Sequence, residues 1–147
     1  MDSIMSEYHI FFLPGNLLNQ LQDHVSKCLP NEGCGLIIGR INGQKYQAQE
    51  VIPITNILNS PSSYRMDPEE QLRAFEYLET MELELVGIYH SHPNGPEVLS
   101  MKDVEESYYP ESIYLILYRQ DSTWICKAFL INNSQVSEVK LIIKPEL

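Results

Sequence analysis

The chain has 147 residues, 44% of them apolar and 20% charged. That suits one folded domain, residues 1–147, with its own core, and excludes a disordered chain. The formal net charge is −10, from 20 Asp and Glu against 10 Lys and Arg, which speaks against nucleic acid or an anionic membrane surface as partner, since both need clustered cations. A basic peptide or protein segment would instead be attracted. Cys28, Cys34 and Cys126 are odd in number and form no C-x-x-C, so a reducing cytoplasm fits better than a disulfide scaffold. The opening MDSIMSEYHI has no basic region followed by an apolar one and does not read as a signal peptide. No apolar run approaches the ~20 residues that cross a bilayer. The expectation is a soluble cytoplasmic domain.

The run from Tyr8 to Leu13 is aromatic and β-branched and predicts a strand, broken by Pro14-Gly15. Asn16 is then expected to cap a helix reaching about Leu29, with Leu17, Leu18, Leu21, Val25 and Cys28 at helical spacing and Pro30 ending it. GLIIGRINGQKYQAQEVIPI predicts a β-hairpin turning at Asn42-Gly43. TNILNSPSSYRMDP is polar and contains two prolines, so it predicts an exposed connection with one short extended piece. Asp67, Pro68 and Glu70 are a helix start, and Leu72, Ala74, Phe75 and Leu78 are expected on that helix's buried face. LELVGIYH predicts the next strand, Ser100 opens a short helix ending before Pro110, and SIYLILY, TWICKAFLI and VSEVKLII are three further strands. The fold class is α/β: a mixed sheet of six or seven strands flanked by about three helices.

Two of the four histidines close the LELVGIYH strand. In a strand, residues i and i+2 share a face, so His90 and His92 aim their imidazoles the same way. Pro93, Asn94, Gly95 and Pro96 can turn the chain back so that the short helix presents Asp103 to the pair. Two imidazole nitrogens and one carboxylate oxygen leave a fourth position for water, the pattern of a catalytic rather than a structural zinc site. Ser100-x-x-Asp103 also matches a capping box, and a cap that fixes the helix and a ligand carried on it are compatible. Cys34, beside Glu32, reads as a small core residue within CGLII. Tyr89 and Tyr109 read as core or rim aromatics.

His-x-His, seven residues, then Ser-x-x-Asp resembles the signature of the JAMM metalloproteases, the MPN-domain peptidases with an intact zinc motif. VIPITN, YRMDPEEQLRAF and GIYHSHPNGP also resemble the compact prokaryotic members. The resemblance runs from about Leu29 to Tyr118. It implies a single MPN (cytidine-deaminase-like) domain, with His90, His92 and Asp103 binding one Zn2+ and Ser100 hydrogen-bonding the tetrahedral oxyanion. It implies Glu32, in NEGCGLIIGR, as general base and acid; from the residues alone Glu32 is one acid in a turn. Enzymes of this kind cut after the C-terminal Gly-Gly of ubiquitin-like or sulfur-carrier proteins, and the Asn59–Met66 segment is the expected edge for such an extended tail. Two other functions fit the same resemblance less well. RadC-like relatives with a DNA-linked role carry an added helix-hairpin-helix region, and non-catalytic MPN scaffolds lack the zinc ligands.

Overall fold

The computed structural model of the protein describes residues 9–109 and 112–145. Among the described residues there are seven strands: β1 (Ile10–Pro14), β2 (Cys34–Asn42), β3 (Lys45–Ile54), β4 (Glu84–His92), β5 (Ile113–Gln120), β6 (Thr123–Asn132) and β7 (Gln135–Lys144). Three helices accompany them: α1 (Gly15–Cys28), α2 (Pro68–Thr80) and α3 (Met101–Glu105). The mixed sheet is as expected, but it closes into a barrel in the order β1-β3-β2-β4-β5-β6-β7. Parallel pairing of β1 with both β3 and β7 makes the closure. Those contacts span the whole chain, so no local pattern announces them. Tyr8, the expected start of β1, lies outside the described residues, as does Pro110. Among the described residues no helix is long and apolar enough to cross a membrane.

The local signals explain most elements. Gly43 takes φ +62° in the β2–β3 turn, a conformation that favours glycine. Asp67 caps α2 by accepting the Glu69 N–H, with Pro68 in the first turn. On α1, Leu17, Leu21 and Val25 are buried, as their spacing predicts. Its start differs from expectation: the helix begins at Gly15 behind Pro14, with no side-chain cap, because Pro14 fixes the entry and leaves Asn16 exposed inside the first turn. On α2 the buried residues are Ala74 and Leu78. Leu72 is 61% exposed, since it stands two residues from Ala74 and so points away from the Ala74–Leu78 face. Phe75 is half-buried against the Tyr109 ring, 5.9 Å away.

The core has two parts. The larger joins Phe11, Leu13, Ile37, Tyr89 and Leu115 with the buried face of α1. The second joins Cys34, Leu36, Ile54, Ile88 and Tyr114 with Met66 and Ala74. Consecutive residues of β4, Ile88 and Tyr89, thus serve opposite faces. His90 and His92 follow Ile88 onto the α2 side.

Candidate metal centre

β4 is a central strand, antiparallel to β2 (Cys34↔His90) and parallel to β5 (His92↔Tyr118). Its end is therefore held from both sides, and His90, Ser91 and His92 are all buried. Ser91 faces the other way: its N–H donates to Gly33 O at 2.9 Å and its Oγ accepts the Gly33 N–H at 2.8 Å. That double link ties the histidine strand to the residue following Glu32.

After His92 the chain turns back, with the Gly95 N–H donating to His92 O at 3.0 Å. Pro96 O comes within 2.8 Å of His92 Nδ1. A carbonyl only accepts, so Nδ1 carries the proton and Nε2 keeps its lone pair. Ser100 then opens α3 with a complete capping box: Asp103 N–H donates to Ser100 Oγ at 3.0 Å, and Ser100 N–H donates to Asp103 Oδ2 at 2.8 Å. The cap aims the carboxylate at the histidines.

Three atoms meet there. His90 Nε2 and His92 Nε2 are 3.0 Å apart, and Asp103 Oδ2 lies 3.1 Å from the first and 3.2 Å from the second. With both rings neutral the triangle holds at most one proton, on His90 Nε2, for three mutual contacts. A single cation would satisfy all three lone pairs, and these residues could hold one metal ion. His90 Nδ1, buried, meets no hydrogen-bond partner among the described residues. Burial lowers the His90 pKa despite Asp103. For His92 burial acts in the same direction but is outweighed by Asp103 and Pro96 O, so its pKa is raised. Burial opposes ionisation of Asp103 too, yet the two imidazoles and the Ser100 N–H hold it well below the ordinary carboxylate range.

Glu32 is placed at this site. It is only 5% exposed, and burial pushes its carboxyl up to about 7; His92 and Lys102 pull against that shift and Asp103 adds to it. Its N–H donates to Ser60 O at 2.8 Å. Cys34 is fully buried, its Sγ directed at Ile54 O, and burial pushes its thiol up to about 12. It is a core residue, as expected. Glu97, in the loop after His92, is exposed and turned to Lys127. Two contacts were invisible in the sequence. The Tyr64 ring stacks on His90, 4.6 Å between centroids at 23°, and the Asn56 side chain reaches Glu32 O at 3.0 Å. Both come from the Thr55–Asp67 connection, whose composition signals only a loop.

The fold and site define a class: a mixed α/β barrel whose central strand and capped helix could hold one metal ion beside a buried acid. The chain belongs to the family described as prokaryotic homologs of the JAB domain (Prok-JAB), which matches residues 14–131. It is 34% identical over 139 residues to a probable TtuB-protein conjugate cleaving protease of Thermus thermophilus, covering 92% of this chain and 86% of that one. It is 38% identical over 115 residues to a desampylase of Pyrococcus furiosus, covering 77% and 76%. The solution structure of a protein from Desulfitobacterium hafniense superposes with a TM-score of 0.85 at 34% identity, over 93% of this chain and 94% of that one.

Proposed function

We propose that the protein is a zinc-dependent isopeptidase that cuts after the C-terminal Gly-Gly of a ubiquitin-like or sulfur-carrier protein. The observation that carries this reading is the proton-poor triangle of His90, His92 and Asp103 beside a buried carboxyl, Glu32. The names of the Thermus and Pyrococcus relatives, carried to this chain, support a protein conjugate as substrate.

His90, His92 and Asp103 would hold the zinc, which when bound supplies Lewis acidity and lowers the pKa of water. Each remaining role falls to a residue of the chain. Glu32, whose carboxyl burial makes more basic than an ordinary carboxylate, takes a proton from the attacking water and passes it to the leaving amine. Ser100 Oγ already accepts the Asp103 N–H, so its own proton is free to be donated to the oxyanion that forms on the scissile carbonyl. Pro96 O fixes the tautomer of His92.

The tail has an edge to lie on. Arg65 is paired inward, its O accepting Ile57 N–H and its N–H reaching Asn56 Oδ1. The alternate residues Tyr64 and Met66 meet no backbone partner among the described residues. Their N–H and C=O groups suit an added extended strand, and Tyr64 lies on His90. Glycine, without a side chain, passes closest to buried groups.

The test is cleavage of a ubiquitin-like protein ending in Gly-Gly joined to a peptide through an amide. Zinc-loaded protein should cut after the second glycine, and a bulky residue in place of that glycine should stop it. Equal cutting of an unstructured casein chain would remove the claim of a modifier-specific enzyme.

A further inference from the structure

We infer that Asn56 is a positioning residue that holds Glu32 and the tail-binding edge as one body. The inference rests on the function proposed above and adds a residue to it.

Asn56 sits just beyond β3, where the chain leaves the barrel for the connection to α2. Its carboxamide uses every donor and acceptor it has. Nδ2 donates to Glu32 O and to Ser63 O, each at 3.0 Å. Oδ1 accepts from the N–H groups of Leu58 and Arg65, each at 3.1 Å. Asn56 stands opposite Met66 in an isolated antiparallel bridge whose two hydrogen bonds are made by the flanking residues, Ile57 N–H to Arg65 O and Asp67 N–H to Thr55 O. No aliphatic side chain and no shorter polar one could make this set.

The partners lie on two sides of the site. Glu32 is the buried acid, and its own N–H is held by Ser60 O from the same connection. Ser63 and Arg65 flank Tyr64, which stacks on His90 and whose backbone meets no backbone partner among the described residues. Asn56 therefore fixes Tyr64 from its two neighbours and Glu32 from its carbonyl. A tail that engages Tyr64 and Met66 is thereby registered against Glu32, not only against the histidines. The metal triangle itself makes no bond to Asn56, so metal content should not depend on it.

The test compares Asn56→Asp and Asn56→Ala with the parent, all zinc-loaded. Asn56→Asp keeps the acceptor for Leu58 and Arg65 but loses both donations, and it sets a negative oxygen against Glu32 O and Ser63 O. Both variants should retain about one zinc per chain. Calorimetry with an extended peptide ending in Gly-Gly should show Kd about tenfold weaker, near the loss of one good interaction. The kcat for the conjugate should fall by about 10²-fold, as for a misplaced reacting group. A merely structural asparagine would lower the melting temperature and leave kcat and peptide Kd within about twofold in the folded protein, and that result overturns the inference. Should either variant fail to fold, hydrogen exchange on the unmodified protein decides. The amides of Leu58, Arg65 and Glu32 should be protected together and gain protection together when the peptide binds; independent exchange of the three overturns the inference. If the parent cuts no Gly-Gly conjugate, the proposed function falls, and the same exchange measurement without peptide decides whether Asn56 joins the two sides.

Discussion

Ser100 and Asp103 hold each other at the start of α3: each backbone N–H donates to the other's side chain, at 2.8 Å to Asp103 Oδ2 and 3.0 Å to Ser100 Oγ. The oxygen that accepts from Ser100 is the one 3.1–3.2 Å from both imidazoles. The carboxylate that closes the capping box is thus the one aimed at both histidines, so Asp103→Ala would remove the two sets of contacts together, whereas Ser100→Ala would remove only the hydroxyl's.

Purified protein should carry about one zinc per chain. His90→Ala, His92→Ala and Asp103→Ala should each lose most of it by elemental analysis, while the metal-free chain keeps its fold because the larger core cluster, with Tyr89, lies on the face of β4 opposite the histidines. Zinc retained in all three variants would mean a different ligand set.

Ser100→Ala should lower kcat by roughly 10²–10³, the usual cost of an oxyanion donor. Losing the cap should also cost about 1 kcal/mol of stability. Reduced stability with unchanged turnover would leave Ser100 only its capping role.

Glu32→Gln should keep its zinc and still bind a Gly-Gly peptide, with kcat down by at least ~10². In the zinc-loaded parent, kcat/KM should rise with pH as the Glu32 carboxyl ionises, at a midpoint below the value of about 7 in the metal-free chain because a nearby cation favours the carboxylate; residual activity of the variant should lack that rise. Stability moves the opposite way. The folded, metal-free chain keeps this proton up to about 7, while the unfolded chain has lost it above 4.5. More protons are bound in the folded state across that window, so Glu32 costs stability as pH rises through it. At pH 8 metal-free Glu32→Gln should resist urea better than the parent. A variant less stable at pH 8, or one with normal turnover, would sink the assignment of Glu32 as the buried base.

Gly35→Ala tests the packing behind the site. A Cβ there would lie 2.5 Å from the Tyr89 ring edge and hydroxyl and 2.6 Å from Ile52 O. Tyr89 is fully buried and bonded to His24 at 2.8 Å, so neither side can yield cheaply. The variant should lose about 1–3 kcal/mol, read from the urea midpoint. A midpoint equal to the parent's would show the strand pair to be looser than its geometry.

Much of the site was legible in the residues because short-range rules wrote it. The i, i+2 rule put His90 and His92 on one face, and Ser100-x-x-Asp103 is a one-turn motif whose bonds are local. The same holds for Asn42-Gly43 and for Asp67-Pro68. Where a local rule met a competing neighbour it failed: Pro14 set the start of α1 ahead of Asn16, and Leu72 went to solvent because the face containing Ala74 and Leu78 packs against the barrel.

What composition and spacing alone determined, then, was the α/β class, the order of elements and a chemistry of two imidazoles and a carboxylate. Tertiary structure decided the rest. Closure of the barrel through β1 pairs residues such as Phe11 with Tyr46 and Leu141, a distance no window of sequence spans. The burial of Glu32, which pushes its carboxyl up to about 7, comes from groups remote in the chain. Asn56 in a polar loop looks like any turn residue until Glu32, 24 positions earlier, is folded against it. A pKa and a complete hydrogen-bond set are properties of surroundings, and surroundings exist only once distant segments meet.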